Sequence, residues 1–198
     1  MPHAKPQKTN AMRRLDQQKV PYRVNYYECE TFIDGIHIAD MLHQSYDCTF
    51  KTLVTTGKSG NHYVFVVPIA RELDLKKAAK TVGEKYIELL HVKDILAVTG
   101  YIRGGCTPIG MKKAFPTVLD QHAMAFDEII ISGGCLGAQI FLSPADLVKV
   151  TNAAVADILT QEEESCRQPF PERCFRLKKA SNKTPLPCLP RCCRSRAA

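Results

Sequence analysis

The residues best suited to chemistry lie in two stretches. TGYIRGGCTPIGMKK, Thr99 to Lys113, holds four glycines (Gly100, Gly104, Gly105, Gly110), Pro108 and three cations, Arg103, Lys112 and Lys113. Glycine loses more backbone freedom on folding than any other residue, so this density is expected where a chain turns tightly or approaches a ligand closely. Exposed amide N–H groups beside cations suit an anion or a carbonyl oxygen. A plain glycine-rich bend between two elements fits the same spacing. The second stretch is FKTLVTTG, Phe50 to Gly57, where Lys51 interrupts an apolar and β-branched pattern. Such a lysine marks either an edge strand or a charge turned into a cleft. Small hydroxyls complete the candidate set: Thr52, Thr107, Tyr26, Tyr27 and Ser132.

This set contains no strong general base and no built-in nucleophile. It can hold an ester in a small pocket, offer amide donors to a developing oxyanion, and place a cation near a phosphate or leaving oxygen. The substrate's own nucleophile, or a bound water, would complete the reaction. Other constellations are absent. Gly57-Lys58-Ser59 lacks the upstream glycine of a phosphate-binding loop, and GxGxxG, HExxH and GxSxG do not occur. His37 and His43 are six apart and no cysteines have CxxC spacing, so neither a metal nor a cofactor is expected. Gly133-Gly134-Cys135 resembles a nucleophile turn, but no histidine is fixed near it in sequence.

The elements that must position these residues follow from periodicity and punctuation. Asn10 to Val20 reads as a helix closed by Pro21, and Tyr22 to Cys29 as a strand. Gly35 to His43 reads as a helix that buries Ile36, Ala39 and Leu42, or else Ile38 and Met41. FKTLVTT and HYVFVVP flank the polar turn GKSGN and form a hairpin. Asp74 caps a helix that Gly83 terminates. Tyr86 to Leu90 and Val92 to Val98 read as short helical pieces leading into the glycine loop. DEIIISGG and AQIFL form a second hairpin, and Ser143-Pro144 opens a final helix that runs on, broken or continuous, through NAAVADILTQ. This order is too rich in hairpins for a doubly wound sheet. It suits an α/β protein of the mixed α+β kind, with a barrel-like mixed sheet surrounded by helices.

With 45% hydrophobic residues in 198, the chain can bury one full core. Residues 1–9 read as a disordered lead-in, 10–164 as the folded domain, and 165–198 as a basic tail without hydrophobic periodicity, expected to be disordered. The tail carries nine Lys or Arg against one acid, five prolines, and Cys166, Cys174, Cys188, Cys192 and Cys193. The remaining 164 residues are nearly neutral, with 18 bases and 19 acids. The formal charge of +7 therefore belongs to the tail and is no nucleic-acid footprint on the domain. No apolar run approaches a membrane span and the N-terminus has no signal-peptide pattern, so a cytoplasmic protein with free thiols is expected.

Four sentences of the sequence carry a resemblance: FKTLVTTG, HYVFVVP, TGYIRGGCTPIGMKK and DEIIISGGCLGAQIFLSPADL. In this order and spacing they resemble the YbaK/EbsC family of aminoacyl-tRNA deacylases, related to the editing domain of bacterial prolyl-tRNA synthetase, over about residues 11 to 160. The resemblance implies trans-editing: cleavage of the ester of mischarged Cys-tRNA(Pro), with Cys-tRNA(Cys) as a further substrate, by attack of the cysteine's own thiol. It implies Lys51 as the polar residue of the pocket and Gly104-Gly105 as amide donors and steric gates. Tyr26 or Tyr27 would be the pocket tyrosine and Asp146 the acid of the SPADL sentence. Thr52, Thr107 and Ser132 would line the pocket, and Arg103, Lys112 and Lys113 would contact tRNA phosphates. The implied partners are the acceptor end of tRNA(Pro) and prolyl-tRNA synthetase, with no DNA and no membrane. Two alternatives share the fold: a deacylase for Ala- or Ser-tRNA using bound water, and a non-enzymatic module that binds tRNA or a synthetase.

Overall fold

The alternation in FKTLVTTG and HYVFVVP is realised as an antiparallel hairpin. In the computed structural model, which describes residues 8–29 and 31–161, the chain runs α1 (Asn10–Gln17), β1 (Arg23–Tyr26), α2 (Gly35–Met41), β2 (Phe50–Gly57), β3 (His62–Pro68), α3 (Leu75–Thr81) and β4 (Ile87–Leu89). It continues through α4 (Val92–Thr99), β5 (Thr117–Asp120), a 3-10 turn (Gln121–Ala125), β6 (Ile129–Ser132), β7 (Ala138–Leu142), α5 (Pro144–Thr151) and β8 (Ala154–Ala156). The described residues belong to one unit that closes at Gln161. The expectations for residues 1–7 and for the tail lie outside the described residues.

The strands form two sheets. The larger has the order β4-β2-β3-β5-β8, antiparallel among β4, β2 and β3, and parallel from β3 through β5 to β8. The smaller is the antiparallel set β1-β7-β6, whose β6–β7 hairpin is the one read from DEIIISGG and AQIFL. They touch where Thr49 bridges in parallel to Ile130. The mixed α+β class is as expected, but the sheet is divided in two and does not close into a barrel.

β3 is buried on both faces, which explains its unbroken apolar sequence. On one face Phe50 and Val66 join Met12, Leu15, Leu119, Ile140 and Leu147 in a core shared with α1, α5 and the small sheet. On the other, Phe65 and Val67 pack with Ala78, Ala79, Ile87 and Ile158 beneath α3. Short polar side chains start α1, α2, α3 and α5: Thr9, Asp34, Asp74 and Ser143 each accept a first-turn amide. Thr9 also donates its hydroxyl to the Gly133 carbonyl at 2.6 Å.

Three sequence readings are corrected. Tyr86–Leu90 has good helix formers, yet its centre is the strand β4, held by pairing Leu89 with Thr55 and Ile87 with Gly57. The final helix stops at Thr151, because Asn152 takes a left-handed conformation (φ 53°) and turns Ala154–Ala156 alongside β5. β5 itself, TVLD, was not anticipated. In α2, Ile38 and Ala39 are buried while Ile36 and Met41 remain exposed, so neither proposed face is the buried one.

Candidate active site

A cleft opens because β2 changes neighbours along its length. Near its start the Cys48 carbonyl accepts the Ile130 amide at 2.8 Å; near its end the Val54 carbonyl accepts the Leu90 amide at 2.9 Å. Between these points β6 and β4 diverge, leaving a cavity of about 590 Å³ along Phe50–Val54. Its walls are largely apolar, with Phe32, Ile36, Leu90, Val92 and Ile95 among them. The polar side chains on it are Lys51, Arg103, Asp34, Tyr27, Thr49, Thr52, Ser132 and Gln139. A mostly apolar pocket with a few placed polar groups is the usual form of a small-molecule site.

Lys51 lies on the stretch of β2 that β4 does not pair with, although β2 is not an edge strand, and it lines the cleft. Its Nζ donates to the Ile69 carbonyl at 3.0 Å. Burial lowers its pKa from the ordinary lysine value, with Glu72 opposing that shift. The ammonium is thus held at the wall by one neutral acceptor and carries charge that a ligand can use.

The glycine loop is cinched from within. Gly100 caps α4 in the left-handed region (φ 84°), the Lys112 amide returns to the Thr99 carbonyl at 3.0 Å, and the buried Tyr101 hydroxyl donates to the Ile109 carbonyl at 2.7 Å. This places Gly104 on the cleft with φ +82°, where a Cβ would come within 2.9 Å of both Phe32 and Leu136. Its carbonyl accepts the Ser132 hydroxyl at 3.3 Å. Arg103 stacks on Phe32, its guanidinium carbon 4.1 Å from the ring centre.

The candidate residues separate into two groups. Lys51, Thr52, Tyr27, Ser132, Arg103 and Gly104 share the cleft. Gly105 does not line it; its amide donates to the Ile102 carbonyl at 3.0 Å, so it is no free amide donor, and it lies flat against the Cys135 backbone. Tyr26 points its hydroxyl to the Met12 sulfur. Thr107 is buried within the loop and does not line the cleft, and Asp146 accepts the Ser143 hydroxyl at 2.8 Å on the first turn of α5. Lys112 donates to the Leu96 and Ala97 carbonyls at 3.2 Å each, bonding the last carbonyls of α4, and Lys113 is exposed away from the cleft.

Sequence reasoning missed several cleft residues: Asp34 and Thr49, and also Gln139 and Cys106. Gln139 is buried in β7 and exchanges hydrogen bonds with Gln44 (2.8 and 2.9 Å), a polar pair signalled only by a glutamine inside AQIFL. Cys106 also lines the cleft, and burial pushes its thiol up to about 11. It stays protonated at neutral pH and is a poor nucleophile. Among the described residues no His, Cys, Asp and Glu cluster could hold a metal, and no helix is long and apolar enough to cross a membrane.

Residues 36–150 match the aminoacyl-tRNA editing domain family. A curated Enterococcus faecalis (strain ATCC 700802 / V583) protein named as the Cys-tRNA(Pro)/Cys-tRNA(Cys) deacylase EbsC is 48% identical over 157 residues, covering 79% of this chain and 96% of that protein. A crystal structure described as a trans-editing enzyme for prolyl tRNA synthetase superposes with a TM-score of 0.69 at 25% identity, over 80% of this chain and 99% of the other. The crystal structure of a hypothetical protein shares the fold, with a TM-score of 0.71 at 23% identity over 77% and 100% of the two chains. The chain belongs to the aminoacyl-tRNA editing domain family, as the four motif sentences led us to expect.

Proposed function

We propose that this protein is a trans-editing aminoacyl-tRNA deacylase that releases cysteine from mischarged Cys-tRNA(Pro), and from Cys-tRNA(Cys) as well. The observation that carries the reading is the 48% identity spanning 96% of a protein named for that activity. The chemistry of the cleft supports it. The cavity offers a lysine, hydroxyls and a glycine turn, and its cysteine is held protonated. A substrate with its own thiol supplies the missing nucleophile. Its sulfur attacks the ester carbonyl, the bond to the terminal ribose oxygen breaks, that oxygen takes a proton, and water opens the resulting thiolactone.

Lys51 then acts through charge, on the ester oxygens or the terminal phosphate, and Gly104 keeps the approach free of a Cβ. Arg103 is suited to a phosphate at the cleft mouth. The partners in this reading are the acceptor end of tRNA(Pro) and, through it, prolyl-tRNA synthetase, in the cytoplasm where both are found. Deacylation of Cys-, Ala- and Ser-tRNA(Pro) by the full chain tests it. Loss of the cysteinyl ester alone is expected. Equal loss of all three would mean water is the nucleophile and the thiol is irrelevant.

A further inference from the structure

The bare stretch of β2 has a polarity that hydrogen bonding elsewhere along the strand fixes. Odd-numbered residues face β3: the Thr49 carbonyl accepts the Ile69 amide, and the Gly57 amide donates to the Asn61 carbonyl. Even-numbered residues face the other way, as the Cys48 carbonyl does toward Ile130, the Val54 carbonyl toward Leu90 and the Lys58 amide toward Tyr86. Thr52 lies midway. Its neighbour β4 pairs only with Thr55–Gly57, and the chain departs at His91 to begin α4. Strand alternation therefore turns the amide and the carbonyl of Thr52 together into the cleft, with no strand opposite them.

We infer that Thr52 reads the aminoacyl group as an added strand residue: its carbonyl accepts the α-ammonium and its amide donates to the ester carbonyl. This rests on the deacylase reading and deepens it. A residue in a hydrogen-bonded antiparallel pair exchanges both bonds with the residue opposite, which is the geometry one amino acid needs to dock on one strand residue. The direction is also fixed. The Thr52 amide adjoins Lys51, so the ester, and the ribose and phosphate behind it, lie on the lysine side. The α-ammonium lies on the Val54 side, where Leu90 already occupies the edge. An N-acyl extension would run into Leu90. The substrate class is then aminoacyl-tRNA with a free α-amino group, and N-acylaminoacyl- and peptidyl-tRNA are refused.

The test uses the full chain with three tRNA(Pro) esters that all keep a thiol: cysteinyl, 3-mercaptopropionyl and N-acetylcysteinyl. Each enzymatic rate is divided by the uncatalysed loss of the same ester, because the ammonium itself activates the carbonyl. Losing the charged donor is expected to lower the acceleration of the mercaptopropionyl ester about 10-fold to 100-fold, and the N-acetyl ester is expected to fall at least as far. A mercaptopropionyl ester accelerated as well as the cysteinyl ester would overturn the inference and leave the deacylase intact. Failure to accelerate even the cysteinyl ester would overturn both.

Discussion

Lys51 sits where burial works against its charge. Because its folded pKa lies below the unfolded value, the unfolded chain binds more protons between the two. Lys51 therefore costs stability at neutral pH, and stability recovers as pH rises through the folded pKa toward the ordinary value. Lys51→Met is accordingly expected to leave thermal stability unchanged or raised while deacylation falls about 100-fold, the scale of losing one electrostatic contact to a transition state. In the parent, kcat/KM should decline as this lysine loses its proton, at a pH below that of a free lysine. Cys106 gives the converse case. Its thiol is held protonated, so Cys106→Ala should deacylate Cys-tRNA(Pro) close to the parent rate. A large loss of activity would show that the enzyme's own thiol takes part.

At the scale of elements, the glycine loop and its neighbours decide what enters the cleft. Gly104 and Gly60 have nearly the same positive φ (82° and 83°), but a Cβ at Gly60 meets nothing within 4 Å whereas one at Gly104 meets Phe32 and Leu136 at 2.9 Å. Alanine at either position should cost about 1 kcal/mol in strain. Only Gly104→Ala should depress deacylation, by at least about tenfold, because it displaces the groups that shape the mouth. Paired unfolding and activity measurements on the two variants check this. The loop's importance was legible from its glycines, but the division of labour within it was not. Gly104 and Gly105 are indistinguishable by type, and only the fold shows that Gly105 spends its amide on Ile102. Tyr26 and Tyr27 posed the same difficulty. Both hairpins were legible because their alternation and turns agree locally. β4 and β8 were read as helix because KYIELL and NAAVADIL favour helix until strands β2 and β5 recruit them.

For the whole molecule, the family match at 36–150 lies inside a unit that closes at Gln161, and that unit carries the cleft described above. The basic residues that raise the net charge lie mainly beyond it. A chain ending at Gln161 should therefore keep its rate on Cys-tRNA(Pro) at saturating substrate. Any change should appear in the salt dependence of KM, which reports phosphate contacts. Lys51 was singled out from sequence because one charge stood in a strand otherwise fit for burial. The cleft around it was not legible, since it depends on where β6 and β4 part from β2. Everything proposed for the cleft depends on its hydrolysing the cysteinyl ester. The most direct test is single-turnover deacylation of Cys-tRNA(Pro) by the parent and by Lys51→Ala, with folding of both confirmed by thermal unfolding. Rapid deacylation by the parent and near-background loss with the variant are expected. Equal rates from both would contradict this expectation.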